Sequence, residues 1–248
     1  MIFLRSLIFQ VAFYLNTLLF LILALPCLLL PQRAMVWVAR TWGRVSSWLL
    51  CAICRVRIEE RGREHIPDGA CLVASKHQSA WETFALMYLL PDPTYVLKRE
   101  LTWIPVFGWS LVKAGMISLD RGAGKDALAG LIADARAALA RGRQVIIFPE
   151  GTRMPVGAPP SYKLGIVQVY QACNVPCVPV ALNSGLFWPR RSFMRYPGTL
   201  TVEYLPPIPP GLPRAAFFRR LQSDIETATA RIVGGNLPAA PTPQPKRQ

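Results

Sequence analysis

The sequence predicts an α/β fold, a mostly parallel sheet flanked by helices, preceded by an N-terminal membrane helix or a two-helix membrane motif. Three observations carry this expectation. Residues 7–30 hold no charged side chain, short apolar runs alternate with helical stretches after Arg57, and 248 residues suffice for one large α/β core. Hydrophobic residues make up 52% of the chain and charged ones only 17%, below the roughly 25% of soluble domains. With 28 Lys and Arg against 14 Asp and Glu, the net charge is +14. That balance excludes long disordered scaffolds and acidic proteins, and points to an anionic membrane surface or to nucleic acid. The arginines are scattered or gathered beside the apolar run, and no nucleic-acid motif accompanies them, so no nucleic-acid partner is expected.

The apolar run has Gln10, Asn16 and Thr17 as its clearly polar residues. As a helix it measures about 36 Å against a hydrocarbon core of about 30 Å. It ends in Pro26-Cys27-Leu28-Leu29-Leu30-Pro31 without a small-residue cleavage site, which disfavours a removable signal peptide. The two prolines leave both a spanning helix and a re-entrant hairpin open. Beyond it, Arg40 and Arg44 fall within about 20° of Arg33 on a helical wheel, flanked by Trp37 and Trp48 and opposed by Val38, Trp42, Val45 and Leu49. This suits a helix in the headgroup layer, or an amphipathic helix packed on its own domain. Arg33, Arg40, Arg44, Arg55 and Arg57 follow the run and Arg5 alone precedes it, which places the body on the cytoplasmic face. The Arg and Ala bias suits a GC-rich bacterium, whose inner membrane this would be.

In the body, strands are expected over residues 71–74, 95–97, 116–119, 145–148, 177–182 and 199–204. Helices are expected over 81–90, 126–141, 164–172 and 215–232. Strands alternating with helices imply βαβ units and a largely parallel sheet. The chain divides into an anchor (1–56), an α/β domain (57–236) and a Pro-rich disordered tail (237–248). Six dispersed cysteines are no disulfide framework and read as reduced thiols. The Cys51/Cys54 spacing has no matching second pair, so no metal is expected. Gly122-Ala123-Gly124-Lys125-Asp126 fails as a phosphate loop, because Leu119 and Asp126 stand where Gly and Ser or Thr are needed.

Of the two histidines, His65 lies in a turn and reads as a loop residue. His77 follows a buried strand, where α/β proteins place ligands. Glu82 is five residues on. If the helix begins near Ser79, His77 can fold back on this carboxylate, which would fix its tautomer. Equally, Ser79-Ala80-Trp81-Glu82 fits a capping box, and spacing alone leaves both open. Phe148-Pro149-Glu150-Gly151-Thr152-Arg153 ends another buried strand, and Asp120-Arg121-Gly122 ends a third. Arg can fork onto a phosphate, and Gly permits close backbone approach. Three such strand ends imply one crevice.

Lys76-His77-Gln78-Ser79-Ala80-Trp81-Glu82 resembles the His-x4-Asp motif of the glycerolipid acyltransferases. Gly115–Arg121 resembles their second motif, Phe148–Arg153 the third, and Val178-Pro179-Val180-Ala181 the fourth, all in order between about residues 57 and 205. Glu82 departs from the usual Asp by one methylene, and Met154 stands where a Ser often follows the Arg. The resemblance implies an O-acyltransferase of phospholipid biosynthesis. It would move an acyl chain from acyl-CoA or acyl carrier protein to the sn-2 hydroxyl of lysophosphatidic acid, giving phosphatidic acid. A lyso-ornithine lipid or another lysophospholipid is the alternative acceptor. It further implies His77 as base and Glu82 as its orienter, with Lys98, Arg121, Glu150, Gly151, Thr152 and Arg153 around the substrate phosphate. The thioester is a co-substrate, and neither cofactor nor metal is expected.

Overall fold

The computed structural model describes residues 1–120, 122 and 124–235, with Lys125 by its backbone alone. The expected substrate residue Arg121 and the Pro-rich tail 237–248 lie outside the described residues. Two helices open the chain, α1 (Ile2–Cys27) and α2 (Gln32–Cys54). There follow β1 (Val56–Arg61), β2 (Cys71–Ser75), α3 (Glu82–Leu89), β3 (Pro93–Lys98), α4 (Phe107–Lys113), β4 (Ile117–Leu119) and α5 (Gly124–Leu139). The rest is β5 (Gln144–Ile147), α6 (Gly165–Cys173), β6 (Cys177–Leu182), the single turn α7 (Ser184–Phe187), β7 (Gly198–Tyr204) and α8 (Arg214–Gly234). Short 3-10 turns at Arg63–His65 and Arg99–Trp103 complete it.

Seven strands form one sheet in the order β1-β7-β6-β2-β5-β3-β4. Every neighbouring pair is parallel except β6 with β7. The central strands β2, β5 and β6 are buried along their whole length, as unbroken apolar runs covered on both faces must be. One face packs against α2 and α3 through Val73, Trp81, Leu86 and Ile146; the other meets α5, α6 and α8 through Leu72, Ala135, Val169 and Leu221. Because β2, β5 and β6 run parallel side by side, their carboxyl ends share one edge, and the loops after them converge there.

Helix α1 is long and apolar enough to cross a membrane, and only 17% of its most apolar window is buried. Its polar residues are not adrift in that surface. Asn16 Nδ2 donates to Ser46 Oγ (3.1 Å), and Thr17 Oγ1 accepts from Trp42 Nε1 (3.2 Å), both partners lying on α2. Such interhelical bonds satisfy groups that an apolar medium cannot. Helix α2 packs on its own domain: Met35, Val38, Gly43 and Leu50 turn inward while Trp37, Trp48 and Arg44 face out. Gly43 permits this approach, since a Cβ there would stand 2.9 Å from the Phe84 carbonyl oxygen of α3. Phe9 of α1 is fully buried, edge-on to Trp188 at 5.2 Å, so the helical pair shares the core of the sheet domain.

Candidate active site

His77 lies in the loop between β2 and α3, and α3 begins at Glu82, one residue later than expected. Trp81 is thereby freed from the helix, and its N–H is capped by Ser79 Oγ at 2.9 Å. The short β2–α3 loop turns back on itself, bringing His77 Nδ1 to 3.0 Å from Glu82 Oε1. The same oxygen accepts the backbone N–H of Gln78 and of Ser79, each at 2.6 Å. The capping carboxylate and the histidine's partner are therefore one group, and the two readings that spacing left open coexist.

Glu82 is completely buried, and its second oxygen accepts a hydrogen bond from Ser184 Oγ at 2.7 Å. Four donors surround this carboxylate, as a buried charge requires. Since an ionised carboxylate only accepts, the shared proton resides on Nδ1 and leaves the Nε2 lone pair available. The imidazole lies flat on Phe148, with centroids 4.1 Å apart and planes 21° from parallel, so its rotation is blocked on one face. Nε2 has no hydrogen-bond partner among the described residues.

Glu150 borders the same cavity as His77. Its side chain is fully buried with Oε1 2.7 Å from Lys76 Nζ, while Oε2 accepts the His77 N–H at 2.9 Å. Burial pushes its carboxyl above the ordinary range, against the opposing pull of Lys76 and the His77 amide. In return the His77 carbonyl accepts the Met154 N–H at 2.8 Å, so the loop after β5 and the histidine are laced together. Gly151 takes a positive φ of 65° in that turn.

Lys98, Gly151, Thr152 and Arg153 all line one cavity of about 1080 Å³ with His77. One wall is apolar, built by Phe20, Ala24, Met35 and Val38 of the N-terminal helices with Phe84 and Leu111. The lining also carries Lys98, Arg153, Lys163, Arg190 and Arg191. The expected crevice of strand ends is thus one cavity whose lining joins apolar side chains, cationic side chains and one histidine. Asp120, at the end of β4, pairs with Arg99 (2.9 Å) and accepts the Gly122 N–H. His65 sits apart, its Nδ1 2.8 Å from the Tyr204 carbonyl, as a loop histidine.

Residues 57–183, about half of the chain, match the acyltransferase family. The chain belongs to that family. It is 41% identical to the 1-acyl-sn-glycerol-3-phosphate acyltransferase of Pseudomonas aeruginosa over 175 residues, which are 70% of this chain and 68% of that protein. It is 32% identical to the protein of the same name from Limnanthes alba over 184 residues, 73% of this chain and 65% of the other. The matches thus span about two thirds of these relatives. The fold is also that of the 1-acyl-sn-glycerophosphate (LPA) acyltransferase, PlsC, from Thermotoga maritima, in a crystal structure aligned with a TM-score of 0.77 at 20% identity over 94% of this chain and 98% of that one.

Two groups of this acyltransferase's site escape a reading of the sequence alone. Ser184 lies 102 residues from its partner Glu82, and nothing in Asn183-Ser184-Gly185 announces a carboxylate. Lys76 stands beside the histidine in the sequence, yet its role depends on the distant Glu150 and Glu226. Only the position of Ser184, after β6 on the same sheet edge as His77, could have singled it out.

Proposed function

We propose that this chain transfers an acyl group from a thioester, acyl-CoA or acyl carrier protein, to the sn-2 hydroxyl of lysophosphatidic acid, forming phosphatidic acid. The observation that carries this reading is a histidine whose Nδ1 is held by a buried carboxylate and which lines a cavity holding both apolar and cationic side chains. A lysophospholipid matches that lining, with an acyl chain, a nucleophilic hydroxyl and a phosphate. The names of the relatives support the same acceptor.

In this mechanism His77 Nε2 removes the sn-2 hydroxyl proton as the oxygen attacks the thioester carbonyl. Glu82 stabilises the imidazolium that results. As the tetrahedral intermediate collapses, the C–S bond breaks and the imidazolium returns the proton to the departing thiolate, so an ester forms without an acyl-enzyme. Arg153 and Lys98, with Arg121, hold the acceptor phosphate; Gly151 and Thr152 shape its rim. Glu150 serves from behind, holding the His77 backbone. The apolar wall receives acyl chains, and because α1 and α2 build it, the lipid acceptor and product stay within the membrane's reach. The arginines after residue 30 favour a catalytic body on the cytoplasmic face.

The test is thiol release by the solubilised full chain supplied with acyl-CoA and lysophosphatidate, beside His77→Ala. Release that needs the acceptor and falls at least about 100-fold in His77→Ala is expected, the usual contribution of a general base. Comparable turnover by His77→Ala overturns the mechanism. Faster turnover of a lyso-ornithine lipid overturns the acceptor while leaving the chemistry in place.

A further inference from the structure

Lys76 takes no part in the proton transfer, yet it is only 3% exposed, and burying an ammonium costs several kcal/mol unless it is paired. It is paired twice. Nζ lies 2.7 Å from Glu150 Oε1 and 2.7 Å from Glu226 Oε1, and Tyr162 OH donates to that same Glu226 oxygen at 2.8 Å. Glu226 is on α8, beyond the residues that match the family. Helix α8 is seated by other residues: Phe217, Leu221, Ile225, Ala228 and Ile232 are the apolar side chains it buries. Glu226 adds nothing to that apolar seat. Its carboxylate reaches instead into the back of the active site.

We propose that Glu226 is a positioning residue for His77, acting through Lys76. The path is continuous. Glu226 fixes the Lys76 ammonium, which fixes Glu150 Oε1. Glu150 Oε2 holds the His77 N–H, and the His77 carbonyl holds the Met154 N–H. Tyr162 closes a second arm of the same frame, because the loop from Glu150 to Tyr162 carries Thr152 and Arg153 and is pinned at its base by Lys163 N–H on the Pro149 carbonyl (2.8 Å). One carboxylate on the last helix thus restrains both the base and the loop that bears an arginine of the cavity lining. Without it, Lys76 retains Glu150 alone and the Tyr162 hydroxyl loses its acceptor. Misplacement of a reacting group by about 1 Å is enough to cost up to 100-fold in rate.

This inference rests on His77 as the base, so the experiment separates the two. The full chain is assayed as wild type, His77→Ala, Glu226→Ala, Glu226→Gln, Lys76→Met and the Lys76→Met/Glu226→Ala double variant. Hydrogen exchange is followed over residues 76–80, 150–154 and 217–225. Glu226→Ala is expected to lower kcat about 10-fold with the donor KM within about twofold, and to speed exchange at 76–80 and 150–154 while 217–225 stays protected. Glu226→Gln, whose amide oxygen still accepts from Lys76 and Tyr162, falls between, and carries the test if the Ala variant does not fold. The double variant loses only the Tyr162 arm beyond Lys76→Met, so its loss falls well short of the product of the two single losses. Wild-type kcat and exchange in the Glu226 variants, or losses that multiply in the double variant, overturn the proposal. An inactive His77→Ala beside a fully active Glu226→Ala rejects this inference alone. An active His77→Ala rejects the base.

Discussion

Replacing Glu82 by Gln isolates the charge behind His77, because the surroundings dictate how the amide must sit. Oε1 accepts from His77 Nδ1, Gln78 N–H and Ser79 N–H, three donors that only the amide oxygen can face. The amide nitrogen then occupies the Oε2 position opposite Ser184 Oγ, a hydroxyl able to accept as well as donate. Geometry and tautomer therefore survive, and the negative charge is what is lost. With donor and acceptor 3.0 Å apart, the charge centres of imidazolium and carboxylate stand about 4 Å apart. At an effective dielectric constant near 20, their attraction is about 4 kcal/mol. The amide's retained hydrogen bond reduces the loss to about 2–4 kcal/mol, or about 30- to 1000-fold in kcat at about 1.4 kcal/mol per decade. Thiol release under saturating donor and acceptor reads this directly, with both KM values and the melting temperature as controls. A Gln variant within threefold of wild-type kcat, or one that loses only affinity, refutes the idea that an imidazolium forms against this carboxylate.

Ser184→Ala removes a buried hydrogen bond to that charge, worth about 1.5–3 kcal/mol. At about 2–4 °C per kcal/mol for a chain of this size, the melting temperature should fall by about 3–12 °C in scanning calorimetry. Arg153→Ala should raise the KM for lysophosphatidate about 10-fold or more and spare both the donor KM and a phosphate-free acceptor such as monoacylglycerol; equal losses on the two acceptors would count against a phosphate contact. For Glu150 the sign follows from burial. Its folded pKa lies above its unfolded value, so its protonated form contributes stability below the unfolded pKa, and that contribution is lost as pH rises through the folded one. The melting temperature of Glu150→Gln relative to wild type should therefore climb as pH increases from about 4 upward; a flat or falling difference refutes it.

The strands that carry the site were readable because β2, β5 and β6 are short, unbroken apolar runs buried on both faces, and such runs stand out from their neighbours. Edge elements were not. Strand β1, with Arg57, Glu59, Glu60 and Arg61 among its six residues, has an edge strand's charge, and its apolar alternation stops after Val56 and Ile58. Helix α4 has seven residues and contains Gly108, too short to show a helical period. Within the site, spacing alone left Glu82 as either the partner of His77 or a cap of the helix, and it is both because α3 begins at the carboxylate. Glu150 shared a motif with Thr152 and Arg153, and nothing in that motif tells which side chains face the cavity and which face the core. Its inward turn is settled by Lys76, and Lys76 in turn by Glu226, 150 residues away.

The buried contacts of the first helix bear on how the protein is made. Ser6 Oγ accepts the N–H of Arg195, 189 residues later, and the Arg195 guanidinium, 4.3 Å above the Trp188 ring, reaches back to Gln10. A ribosome delivers α1 long before it delivers these partners. During synthesis α2 follows at once and covers part of α1, but the surface that meets Trp188 and Arg195 stays without its partners until they emerge. Maturation of the enzyme is then a late clasp, completed when the segment around residue 195 emerges and closes over the start of the chain. Trimming α1 and α2 away would strip Phe9 and Leu50 from the core and leave that clasp without its other half.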